Sequence, residues 1–264
     1  MPASYGGKTD VWRRPGEGTA AKAKPKEIFK ELILLIGSFS YLYTADSDRQ
    51  EGSLRPQSLR FYPLWAGICG GILSLGAWAL YPGSFRISAL TLLGLDLVLG
   101  GLFMLRQLMW FADGRYPAAA GEGASWLPRS AQGITMGLLW LLLLYVAYYS
   151  LLRRAEFAVF FLALVFSRWL FCWLVWAYPA RRPGILHQGF RRSHFFLSSM
   201  LSLLLLLPWA SAPLLCSVSL SALAALLLAV LRCRYIGGLD ELCYAAAAAW
   251  GQAVFLWVWL AAVS

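Results

Sequence analysis

The chain has 264 residues, 59% of them hydrophobic and only 14% charged, with a net charge of +10 and a mean hydropathy of +0.61. Water-soluble domains run at about 45–50% apolar and about 25% charged, so this chain lacks the polar surface to be one. The same figures exclude a disordered chain, a collagen-like fibre and a disulfide-stapled secreted module, which leaves a polytopic membrane protein with its charges held in loops.

Residues 1–27 are polar and cationic (Lys8, Arg13, Arg14, Lys22, Lys24, Lys26) with no apolar core, so they read as a disordered cationic tail rather than a signal peptide. The remainder, 28–264, reads as one all-α membrane domain. Its first apolar stretch, 28–43, is short for a span and carries Lys30 and Glu31 near its start, which suits an in-plane or re-entrant helix. A spanning helix needs about 20 mostly apolar residues, and seven segments qualify: 61–81, 87–111, 133–152, 157–178, 195–211, 213–231 and 242–263. Leu207 to Pro213 marks a tight turn between the fifth and sixth. The pairs Gly67/Gly71 and Gly133/Gly137, and the run Ala245–Ala249 with Gly251, predict close helix packing. The five cysteines lack C-x-x-C spacing and read as small apolar residues.

With 28–43 in the plane, 18 of the 23 Lys and Arg residues fall on one side of seven spans, and only Arg86, Arg153 and Arg154 on the other. The excess of cations marks the cytoplasmic side, which predicts a cytoplasmic N-terminus. It also gathers the longer connections 112–132, 179–194 and 232–241 on that face, where chemistry is expected.

Several polar residues call for an explanation. Asp96 lies about ten residues into the second span, where a carboxylate costs a few kcal/mol and implies pairing or function. Arg106 and Asp113, seven apart, share one helical stripe and are placed to pair. Arg168 sits mid-span, with a fork suited to phosphate or to a carboxylate such as Asp96. Arg181, Arg182, Arg191 and Arg192 form a basic loop with His187 and His194; it is either a solvated cytoplasmic loop or a site for a phosphorylated substrate. Gly237 and Gly238 precede Asp240 and Glu241 at the start of the last span. There the backbone can approach an anion, or the two acids can hold a divalent cation or cap the helix.

Four stretches, in order, resemble the cobalamin synthase family (adenosylcobinamide-GDP ribazoletransferase). They are Phe61-Tyr62-Pro63-Leu64 to Gly67; Gly100-Gly101 through Asp113-Gly114; Ser167-Arg168-Trp169 with Ala180-Arg181 and Gly184; and Arg234 with Gly237-Gly238 into Ala246-Ala247. The resemblance covers about residues 29–255. It implies a membrane transferase of the bacterial inner membrane that joins adenosylcobinamide-GDP to α-ribazole or its 5′-phosphate, releasing GMP in the last step of vitamin B12 assembly. It also implies Mg²⁺, held by Asp113 with Asp240 or Glu241, and Arg168, Arg181 and Arg234 on phosphate oxygens. Gly237 and Gly238 would let backbone approach the pyrophosphate. The partners implied are the bilayer and corrinoid and nucleotide-bearing small molecules, not nucleic acid; a homo-oligomer is left open.

The chain departs from the family's acidic motifs. Arg106 and Trp110 stand where two of three clustered aspartates align, leaving Asp113. Leu242 and Ala249 replace an aspartate and a glutamate near the C-terminus, and Arg129-Ser130 replaces Asp-Ser. The alternative reading is therefore a paralogue that keeps the fold and corrinoid binding without turnover. A transporter using Asp96 and Arg168 is a third reading, but inverted repeats are not visible.

Overall fold

The computed structural model describes residues 58–113, 130–178, 190–236 and 241–264. Within them there is no strand, as the sequence predicts. A single 3₁₀ turn, Ser58–Phe61, leads into α1 (Tyr62–Leu80). Then follow α2 (Phe85–Asp96), α3 (Leu102–Asp113), α4 (Ala131–Arg153) and α5 (Ala158–Ala177). The described chain ends with α6 (Arg192–Leu206), α7 (Ala212–Ile236) and α8 (Glu241–Ala262). The tail 1–27 and the segment 28–43 lie outside the described residues.

Hydrocarbon offers no hydrogen-bond partners, so a chain this apolar satisfies its backbone within helices. Five helices are long and apolar enough to cross a membrane: α1 with its preceding turn, α4, α5, α7 and α8. The protein is thus a multi-pass helical membrane protein. The second predicted span, 87–111, is not a continuous helix. After Asp96 a π turn, Leu97–Gly101, separates α2 from α3, and the two halves meet at 83°. Gly100 takes φ 147°, a conformation closed to residues with a Cβ, so the paired glycines set the break. The fifth predicted span, 195–211, is also shorter than expected. Its 15-residue helix α6 gives way to a 3₁₀ turn at Leu207–Trp209, where Pro208 cannot continue the hydrogen-bond ladder.

Contacts between helices fix their directions. Met109 packs at Gly137, so the end of α3 lies beside the start of α4. Trp140 donates to the carbonyl of Ala249 (3.0 Å) and Arg154 to that of Leu260 (2.9 Å), so α4 and α8 run parallel. The Tyr244 hydroxyl donates to the carbonyl of Tyr178 (3.0 Å), and Trp176 stacks on Phe195 at 4.3 Å. These contacts bring Asp113, Ser130, Tyr178, Arg192 and the start of α8 to one end of the bundle. The opposite end holds the short turns 81–84 and 154–157, where Tyr81 meets Phe85 and Phe157. Among the described residues this gives five spanning helices, or six if the bent α2–α3 pair makes one pass, against the seven spans expected from the sequence.

At Gly70 two helix backbones come close, since a Cβ there would lie 2.7 Å from the Cα of Phe161 on α5. Gly67 meets the tip of Leu205 at 3.2 Å and the Phe161 ring at 3.6 Å, while Gly71 has nothing within 4 Å, so of the predicted Gly67/Gly71 pair only Gly67 packs, and Gly70 beside it takes the backbone contact. Ala245–Ala249 are fully buried and a Cβ at Gly251 would strike Leu170, as expected of a small-residue packing face. Cys69, Cys172 and Cys243 are buried thiols; Cys216 is exposed.

Candidate functional site

Among the described residues, the ionisable side chains of Asp96 and Arg168 lie inside the bundle. Asp96, at the last turn of α2, is 1% exposed. Its Oδ2 accepts a hydrogen bond from the Tyr148 hydroxyl of α4 (2.7 Å) and a longer one from Gln252 Nε2 of α8 (3.4 Å). Three helices therefore converge on one carboxyl group, directly before the π turn. The turn is held on its other side by Cys69, whose Sγ donates to the carbonyl of Leu99 (3.7 Å).

Arg168, in the middle of α5, is 4% exposed. Its guanidinium lies 5.6 Å from the centre of the Tyr62 ring, a cation–π arrangement, and Nη1 has no hydrogen-bond partner among the described residues. The hydrogen-bonded pair with Asp96 that the sequence allowed does not form: Oδ2 of Asp96 accepts from Tyr148 and Gln252, and Arg168 faces the Tyr62 ring instead. The neighbours of Arg168 in the Ser-Arg-Trp run face other ways. Ser167 donates to the carbonyl of Leu164 in its own helix, and Trp169 donates to Ser199 Oγ on α6 (3.1 Å). The run thus ties α5 to α6 while turning its one charge inward.

Asp113 closes α3 at the loop end of the bundle. Both of its carboxylate oxygens are screened from solvent, and neither accepts a hydrogen bond among the described residues. The predicted pairing with Arg106 is therefore absent; Arg106 is half-buried. A carboxylate left bare in this way is costly unless a cation or donor meets it, so it has the chemistry of a metal ligand. Arg168 does not reach it. Tyr178 lies at the loop end, ten residues further along α5, which places Arg168 about 15 Å deeper in the bundle.

The other predicted site residues, Arg181, Gly237, Gly238 and Asp240, lie outside the described residues, as do the side chains of Arg234 and Glu241. Among the described residues no three His, Cys, Asp or Glu side chains are grouped to hold a metal. His194 caps α6: its Nδ1 accepts the backbone N–H of Arg191 (3.2 Å). Ser130 caps α4 by accepting from the backbone N–H of Gly133 (3.3 Å). Sequence reasoning missed Tyr148 and Gln252 as the partners of Asp96, and Tyr62 beneath Arg168. Gln252, a lone amide in an otherwise apolar run, was the one available signal.

These features define a helical multi-pass membrane protein with a polar interior and, at the end where α3 closes and α4 and α8 begin, a carboxylate that accepts no hydrogen bond among the described residues. The chain belongs to the cobalamin-5-phosphate synthase family, whose family model matches residues 31–260, and so has a role in cobalamin biosynthesis. No curated protein and no solved structure matches it.

Proposed function

We propose that the protein is the transferase that joins adenosylcobinamide-GDP to α-ribazole or its 5′-phosphate, giving adenosylcobalamin or its phosphate and GMP. The observation that carries this reading is the family match across 31–260, together with the bare carboxylate of Asp113 at the end where the loops gather. In the reaction the ribazole hydroxyl attacks the phosphorus that bears the cobinamide. The bond from that phosphorus to the GMP oxygen breaks, GMP leaves with the electron pair, and the hydroxyl proton passes to water.

Asp113 would hold Mg²⁺, with Asp240 or Glu241 as further ligands. When bound, Mg²⁺ supplies charge neutralisation on the pyrophosphate oxygens and the departing phosphate. Arg181 and Arg234, from the loop and helix that meet this end, would add cationic contacts to phosphate. The Gly237-Gly238 backbone would approach the pyrophosphate at the start of α8. Arg168 would contact a phosphate only of a substrate that enters the bundle. The cation-rich loop end would face the cytoplasm of a bacterial inner membrane, since with 28–43 in the plane 18 of 23 Lys and Arg would fall on that side.

A second reading is favoured by specific residues. Arg106, Trp110 and Ala249 occupy positions where the resemblance expects acids; Trp110 is buried, and Ala249 is enclosed with its carbonyl bonded to Trp140. These positions supply packing where carboxylates were expected, which fits a paralogue that binds corrinoid without turnover. Purified protein in nanodiscs, given adenosylcobinamide-GDP, α-ribazole and Mg²⁺, separates the two. Formation of GMP and a cobalamin product supports the transferase. Corrinoid binding without GMP release supports the paralogue and overturns the enzyme reading.

A further inference from the structure

The last turn of α3 carries two unmet hydrogen-bonding groups of opposite kind. The indole of Trp110 is 7% exposed, and its Nε1–H meets no acceptor among the described residues. One turn on, both carboxylate oxygens of Asp113 are screened from solvent and accept no hydrogen bond there either. Residues three apart share one face of a helix, with Cβ atoms about 5–6 Å from each other. A donor and an acceptor thus stand side by side without bonding to one another. Buried indole N–H groups in folded proteins usually have a partner. The Trp259 Nε1–H on α8 is also unbonded, but from Phe255 to Val263 no acceptor side chain lies within a turn of it. Trp110 differs in having an unmet carboxylate beside it.

A ligand that satisfies both groups must offer a cation to the carboxylate and an acceptor to the indole. A hydrated divalent cation alone does not, because its bound waters turn their protons outward and donate. A phosphate oxygen carried by that cation does, and its negative charge strengthens the bond from N–H. We propose, resting on the transferase reading in which Asp113 holds Mg²⁺, that Trp110 is a substrate-binding residue whose Nε1–H donates to an oxygen of the substrate pyrophosphate. Trp110 stands where the family resemblance expects an aspartate. On this assignment the position has changed from a ligand of the metal to a donor to the phosphate that the metal carries.

Binding measurements on the purified full chain in nanodiscs test this without turnover. Mn²⁺ alone is titrated by electron paramagnetic resonance, and Mn²⁺–pyrophosphate by calorimetry. Trp110→Phe keeps an aromatic ring and removes the N–H. It should leave Mn²⁺ affinity within about twofold and weaken Mn²⁺–pyrophosphate by about tenfold or more, the scale of one hydrogen bond to a charged group. Replacing Trp110 by β-(3-benzothienyl)alanine, with sulfur for N–H in the same shape, should repeat that loss and decides the matter if Trp110→Phe fails to fold in a thermal melt. Asp113→Asn should lose Mn²⁺ itself. If Mn²⁺ binding depends on Asp113 while both Trp110 replacements hold pyrophosphate as tightly as the unaltered protein, the Trp110 assignment is overturned and the metal reading stands. If the Trp110 replacements weaken Mn²⁺ alone as much as its pyrophosphate complex, the indole only packs, and the assignment is overturned. Mn²⁺ binding that is absent, or indifferent to Asp113→Asn, overturns the metal reading and the Trp110 assignment with it.

Discussion

Replacing Tyr148 by Phe removes one oxygen from the centre of the bundle and tests whether the Asp96 cluster holds the bent pass in place. The Tyr148 ring is buried and packs edge-on against Phe160 at 4.9 Å, a contact that Phe retains. What is lost is the 2.7 Å hydrogen bond to Asp96 Oδ2, leaving only the 3.4 Å bond from Gln252. Stranding a buried acceptor costs about 1–3 kcal/mol. At roughly 2–4 °C per kcal/mol for a chain of this size, the melting temperature should fall by about 4–8 °C for a mid-range loss. Near-ultraviolet circular dichroism of the purified protein in detergent reads this directly, because tryptophans surround the core. Gln252→Leu should give a smaller fall, since its bond is longer. A change below 1 °C for Tyr148→Phe would refute the view that the cluster fastens α2, α4 and α8 together.

Gly70→Ala puts a Cβ 2.7 Å from the backbone of Phe161 and should cost about 1–3 kcal/mol by overpacking, whereas Gly71→Ala, one residue on and in open space, should leave the melting temperature unchanged. Gly100→Ala forces a side chain into φ 147° and should destabilise by about 1–3 kcal/mol, read in the same thermal melt. Asp113→Asn should leave the fold intact and cut GMP release about a hundredfold or more, the scale of removing a group that balances transition-state charge; full activity would remove Asp113 from the metal site. Asp96→Leu should destabilise the protein by about 1–3 kcal/mol, read in the same thermal melt, because it strands the buried Tyr148 hydroxyl and the Gln252 amide that donate to the Asp96 carboxyl group.

Composition and span length alone made the helical membrane class legible, because a backbone in hydrocarbon has few ways to satisfy its hydrogen bonds. The placement of the turns 81–84 and 154–157 at one end, with Tyr178 and the start of α8 at the other, was legible for the same reason. The break at Gly100 was not: paired glycines occur in straight membrane helices as packing contacts, and only the positive φ distinguishes a hinge from a packing site. The glycine pair shows the same limit, since Gly67, Gly70 and Gly71 differ in sequence by nothing that reveals which one meets the backbone of Phe161. At the site, Asp96 and Arg168 stood out because charge in an apolar run is expensive. Their partners Tyr148, Gln252 and Tyr62 did not, because polar-tipped aromatics and a single amide are common among membrane helices.

The depth of Arg168 bears on how the chain divides its work. One hydrogen bond, from Tyr244 to Tyr178, fixes the level of the loop end, and Asp113 lies at that end through the packing of Met109 on Gly137. Arg168, about 15 Å further in, cannot hold the same phosphate oxygen as Asp113. Its guanidinium instead faces the Tyr62 ring in a region that excludes solvent. On the proposed reading, a substrate phosphate held at the loop end would be balanced by groups of that end, among them any cation on Asp113. The bend of the second pass links the two levels: Asp96 anchors its inner half and Asp113 terminates its outer half, with Gly100 between them. A change in the angle at Gly100 therefore moves the bare carboxylate relative to a fixed polar core, so the geometry of the loop end is set from within the bundle as well as from the loops.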